Sequence, residues 1–210
     1  MGAVKISAND SVELNGELVL PNTARSVVLF AHGSGSSRLS PRNQFVAQIL
    51  QQHGIGTLLF DLLTHDEDQQ YSMRFDIDLL TQRLLAATMW LQTRQDTQTL
   101  PHGYFGASTG AAAALQAAAK MGAHIFAVVS RGGRPDLTGE AALSTVTAPT
   151  LLIVGGADYG VIELNQQAFA ALQCEKELTL IPGATHLFEE PGTLEQAAQY
   201  AADWFLKHLK

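Results

Sequence analysis

Short apolar runs bounded by turn-forming residues alternate along this chain with longer segments whose apolar positions recur at helical spacing. That alternation predicts an α/β protein, with a mainly parallel sheet and crossover helices on both of its faces. Two runs come first, Val4 to Ser7 and Val12 to Leu20, with Asn15-Gly16 as a turn-prone interruption in the second. No helical segment separates them, so the sheet is expected to start antiparallel. Ser26 to Ala31 is nearly continuous in apolar residues, as a strand buried on both faces should be. Pro41 opens a helix through about Gln52 that stops near Gly54. Ile55 to Phe60 is the next strand, and Phe75 to Leu91 the next helix. Pro101 to Phe105 reads as a short strand and Ala111 to Ala119 as a helix, with Gly122 as its C-cap. His124 to Val129, Thr150 to Val154 and Leu178 to Ile181 are three further strands, with helices near Val161 to Leu172 and Thr193 to Leu206. No repeat, low-complexity tract or linker interrupts the order, so a single domain is expected over residues 1–210.

Composition narrows the classes. At 46% hydrophobic and 16% charged, 210 residues can bury a core without metals or disulfides. A net charge of −7 argues against nucleic acid or an anionic membrane as partner, because phosphate binding needs clustered Lys and Arg. One cysteine, Cys174, rules out an internal disulfide framework. With no apolar signal-peptide core at the start and no run long enough to cross a bilayer, the expectation is a cytoplasmic protein. Its oligomeric state is not written in these residues.

The chemistry concentrates in Gly106-Ala107-Ser108-Thr109-Gly110. G-x-S-x-G alone is a weak signal, but here a strand runs into it and a helix leaves it. A serine on such a sharp turn needs small neighbours, and its hydroxyl then stands above the C-terminal edge of a sheet. Ser108 is the candidate nucleophile, against the plainer reading of a helix N-cap. Asp158 and then His186 follow it, each just after a strand-like run. In that order His186 would be the general base and Asp158 would fix its tautomer. Asp61, Asp136 and Glu163 are rival acids; the first two flank the wrong strands, and Glu163 falls within a helix. Of the other histidines, His32 is placed to prop a loop and His65 lies in an acidic one.

A carbonyl oxygen gaining charge needs two N–H donors. Thr109, at the start of the helix, should give one. The loop His32-Gly33-Ser34-Gly35-Ser36-Ser37 should give the other, from Ser34 first and Gly35 second. That loop fails as a dinucleotide turn, because Arg38 stands where a third glycine is needed and Pro41 starts the helix too late. No zinc-protease or phosphate-loop motif is present, and neither metal nor cofactor is expected.

These motifs, with Val154-Gly155-Gly156-Ala157-Asp158 and Pro182-Gly183-Ala184-Thr185-His186, resemble the α/β-hydrolase superfamily from about Val27 onward. The small size looks most like its dienelactone-hydrolase-like branch, although dienelactone hydrolases proper use a cysteine where this chain has Ser108. The resemblance implies an α/β-hydrolase fold. The short stretch from Ser130 to Ala148 leaves no room for the large helical cap common in the superfamily. It also implies a carboxylesterase acting on small-molecule esters through an acyl-enzyme, with lactone or thioester hydrolysis as alternatives. A non-catalytic binding module is the alternative from another class. Soluble esters of short acyl groups are the expected substrates. Gly35, Arg38 and Arg131 are candidate substrate contacts. Arg38, Arg131 and Arg134 lie on loops at the catalytic edge, where they can meet a substrate carboxylate or pair with acids such as those of His65-Asp66-Glu67-Asp68.

Overall fold

The strands are β1 (Gly2–Asn9), β2 (Val12–Val19), β3 (Val27–Ala31), β4 (Gly56–Phe60), β5 (His102–Ala107), β6 (Ile125–Arg131), β7 (Thr150–Gly155) and β8 (Lys176–Ile181). The helices are α1 (Pro41–Gln52), α2 (His65–Asp68), α3 (Ile77–Thr93), α4 (Thr109–Met121), α5 (Glu140–Leu143), α6 (Tyr159–Ala171) and α7 (Thr193–His208). In this computed structural model, which describes residues 2–9 and 11–209, the strands form one sheet in the order β1-β2-β4-β3-β5-β6-β7-β8. β1 pairs antiparallel with β2, and β2 antiparallel with β4; the other neighbours are parallel. This is the α/β-hydrolase fold.

Strand β3 shows why the sheet is covered twice. Successive side chains point to opposite faces. Val27, Leu29 and Ala31 join a core with residues of α3 and α4, such as Leu84 and Ala113. Val28 and Phe30 join a second core with Val46 and Leu50 of α1 and Ala198 and Phe205 of α7. Both faces are therefore packed, as the apolar run requires.

Asn15-Gly16 does not turn the chain. Both lie inside β2, where Gly16 opposes Val4 and Phe60. A Cβ there would come within 3.0 Å of Val4 and 3.3 Å of Phe60, so the glycine serves close packing rather than a bend. Over the C-terminal edge, the segment from Ser130 to Ala148 holds only a short turn (Pro135–Thr138) and the four-residue α5. Among the described residues no cap domain covers that edge.

Candidate active site

Ser108 joins β5 to α4 with φ 51° and ψ −122°, a region that residues other than glycine rarely occupy. Two glycines permit this turn. A Cβ on Gly106 would overlap the backbone of Ala111, and one on Gly110 would overlap the carbonyl of Ala31. The strained residue is clamped from the β6 side, since Ser108 N–H donates to Arg131 O and Arg134 N–H donates to Ser108 O, at 3.3 and 3.0 Å. Its side chain caps no amide of α4, although it stands at the N-cap, so the hydroxyl is left for other work.

His186 and Asp158 come from neighbouring loops, after β8 and β7. The loops are tied by a hydrogen bond from Ala157 N–H to Ala184 O at 2.9 Å. Asp158 likewise sits at a helix N-cap without capping it. Its Oδ2 lies 2.7 Å from His186 Nδ1. A carboxylate only accepts, so Nδ1 carries a proton, and the neutral tautomer that this bond selects is the one with its lone pair on Nε2. Ser108 and His186 line one cavity of about 210 Å³, together with Gly33, Ser34 and Arg131. A larger groove of about 510 Å³, bordered by Asp136, Leu143 and Leu164, holds none of these groups, so volume alone does not mark the site.

The loop after β3 approaches the serine closely; a Cβ on Gly33 would lie 3.0 Å from Ser108 Cβ. His32 braces this loop. Its Nε2 accepts from Leu62 N–H and its Nδ1 donates to Gly33 O, both at 3.0 Å. Burial holds its pKa below the usual histidine value, so the ring is neutral. Ser34 is in the cavity, but its N–H donates to Thr109 Oγ1 at 2.9 Å. The amide expected to meet an oxyanion is thus occupied by the side chain of the residue that supplies the other amide.

The remaining candidates separate. Arg38 forms an ion pair with Asp61, and its N–H donates to the same carboxylate at 2.9 Å. It lies in an adjoining cavity with His65 and Asp68, not in the one that holds Ser108 and His186. Gly35 faces a small cleft that Ser34, Thr109 and Arg74 also line, so it borders the site, whereas Arg38 is paired with Asp61 in the adjoining cavity. Asp136 pairs with Arg134 at 2.8 Å and Glu163 lies in α6, whereas the acid bonded to His186 is Asp158. Arg131 stays. It is buried at 7% exposure and lines the cavity. Sequence reasoning missed three supports. Glu190 accepts from Thr185 N–H and Oγ1 at 3.0 and 2.6 Å and ties down the histidine loop. Phe188, at φ 56°, tucks its ring under Arg131. Arg42 and Asn43, at the start of α1, line the cavity wall. None carries a local signal; each matters only because distant loops converge. Among the described residues no cluster of acidic, His or Cys side chains is arranged to hold a metal ion, and no helix is long and apolar enough to cross a membrane.

Comparison with known proteins places this geometry. The family model described as the dienelactone hydrolase family matches residues 27–209. A crystal structure of a dienelactone hydrolase from Anabaena variabilis is 56% identical, with a TM-score of 0.96 over 100% of this chain and 98% of that one. The esterase Est1E from Butyrivibrio proteoclasticus shares the fold, with a TM-score of 0.84 at 18% identity over 99% of each chain. A putative phosphoribosyl transferase of Mycobacterium tuberculosis is 59% identical over 198 residues, which are 94% of this chain and 44% of that protein. The chain thus spans less than half the length of the curated relatives it matches.

Proposed function

The chain belongs to the dienelactone hydrolase family, and from that premise we propose that it is a serine esterase cleaving short-chain carboxylic esters through an acyl-enzyme. The observation that carries the reading is the short His186–Asp158 hydrogen bond opening into the same cavity as the strained Ser108. Ser108 Oγ attacks the ester carbonyl while His186 Nε2 takes its proton. Asp158 holds the ring in the tautomer that makes this possible and stabilises the imidazolium that forms. The N–H of Thr109, at the positive end of α4, receives the developing oxyanion. Ser34 N–H joins it when the carbonyl oxygen displaces Thr109 Oγ1. His186 then protonates the leaving alcohol, and water repeats the sequence to release the acid.

The short acyl preference follows from the uncapped edge. Each methylene contributes about 0.8 kcal/mol only where it is buried, and Leu187 at the cavity wall is itself 41% exposed. Lactones and thioesters use the same groups and remain within this reading. The relatives named as putative phosphoribosyl transferases extend well beyond the aligned residues, which are 44% of their length. A single cysteine favours a reducing compartment such as the cytoplasm.

Fluorophosphonate labelling of the purified protein tests the reading. One adduct is expected at Ser108, with none in Ser108→Ala. A series of p-nitrophenyl esters from acetyl to palmitoyl should give the highest kcat/KM among the short chains. Activity surviving in Ser108→Ala would remove the serine from its role. An optimum at long chains would overturn the substrate class.

A further inference from the structure

The cavity beside Ser108 carries an uncompensated buried cation. Arg131 ends β6 with its guanidinium lying over the rings of Phe105 and Phe188, at 5.9 and 5.7 Å. Its Nη2 donates to Asn43 Oδ1 at 3.4 Å, a long bond. Its Nη1 is buried and has no partner among the described residues, nor does Arg131 form an ion pair with any of them. The largest perturbation is burial, and the next is a second cation, Arg42, which together lower its pKa to about 10. A buried charge normally carries a carboxylate partner, because desolvation without one costs several kcal/mol. Here two arginines line one cavity, and among the described residues the only acid paired with either is Glu189, an exposed residue 3.5 Å from Arg42.

A third element adds to the field. Helix α1 begins at this wall, with Ser40, Arg42 and Asn43 all lining the cavity. Its first turn contains no acidic residue. Pro41 has no N–H, and the Asn43 N–H is held by Ser40 Oγ at 3.4 Å. A helix start without acids is an anion-attracting end.

We infer that this wall is a subsite for a phosphoryl group carried by the substrate, placed so that its ester carbonyl reaches Ser108. Guanidinium forks meet carboxylate and phosphoryl oxygens alike, so the choice between them rests on how many donor-bearing side chains converge on one wall. Donor-bearing side chains line the wall from separate directions: Arg131 from β6, Arg42 from α1, and Ser36 and Ser40 from the loop that leads into α1. That arrangement suits a tetrahedral group with more than one negative charge. The inference rests on the esterase reading, because it assigns the substrate of that same site.

Titration with inorganic phosphate, followed by calorimetry and phosphorus NMR, tests the subsite without turnover. Saturable binding is expected, weakened at least roughly tenfold in Arg131→Met, as loss of a charge-assisted bond implies. Arg42→Ala, at a half-exposed position where the fold is kept, should weaken it as well. Absence of saturable binding, or equal binding in both variants, overturns the subsite. Three p-nitrophenyl esters of similar length then identify the group: butyryl, succinyl and phosphonopropionyl. The phosphonate ester should have the highest kcat/KM, and its advantage should shrink in both arginine variants. A higher value for the succinyl ester overturns the phosphoryl assignment, and equal values for all three overturn anion recognition altogether. Fluorophosphonate labelling is scored separately. Labelled protein that ignores phosphate sinks this inference alone, whereas phosphate binding without labelling sinks the esterase reading.

Discussion

Among the described residues the carboxylate of Asp158 has one hydrogen-bond partner, and the consequence is specific. Its Oδ2 accepts from His186 Nδ1 at 2.7 Å and caps nothing in α6. Asp158→Asn presents either a donor or a neutral acceptor to that nitrogen, which favours the wrong tautomer and withdraws support from the imidazolium. Loss of this kind costs about four orders of magnitude in the serine-protease case. A fall in kcat of similar size is expected here from steady-state ester hydrolysis, with little change in thermal stability. Asp61→Asn, which breaks only the Arg38 pair, should cost far less. The places of Ser108, Asp158 and His186, each just after a strand and in that order, were legible in the sequence because they are local facts. The partners of Arg38 and Arg131 were not. Arg38 meets Asp61 across 23 residues and Arg131 meets Asn43 across 88. The same charged residue type therefore became a paired brace in one place and an unpaired buried cation in the other.

Among the elements, the junction of β5 with α4 is the tightest. α4 presents Ala111 through Ala114, all fully buried, so that it lies against the sheet with almost no side chain between. Gly110→Ala would drive a methyl into the backbone of β3, and neither partner is a flexible side chain that can yield. A loss of more than about 3 kcal/mol is expected, in the range of severe overpacking. Gly122→Ala makes the useful contrast: φ is 54° there, but the space is open. The cost should be only that of an alanine held in a sparsely populated backbone region, at ψ −129° as well as positive φ, about 1–3 kcal/mol. Urea unfolding of both variants against the parent measures the difference. The strands and long helices were readable from periodicity to within a few residues. Asn15-Gly16 shows the limit, since a turn dipeptide and a packing glycine look alike until Val4 and Phe60 close over it.

For the whole molecule, three histidines fold in the neutral state. Burial is the leading cause that lowers the pKa of His32, His102 and His208 below 6.5. The unfolded chain takes up these protons as pH drops through 6.5, while the folded chain resists, so protons favour unfolding. Stability is therefore complete above the unfolded value and declines as pH falls from there toward the lowered folded values. Melting temperature measured between about pH 7.5 and 5 should fall toward acid, and His32→Gln should flatten part of that slope. Protonating His32 Nε2 also removes the acceptor for Leu62 N–H, so the loop bearing Ser34 should loosen over the same interval. The strand order carries one more consequence. From β5 to β8 the sheet is laid down in the order in which a ribosome makes it, each new strand joining the outer edge of the last. Ser108 and its strained turn thus emerge first, followed by the proposed acid Asp158, and the proposed base His186 arrives only with the loop beyond the final strand. A nascent chain can complete the turn around Ser108 yet attack nothing, because the group that would take its proton has not been translated.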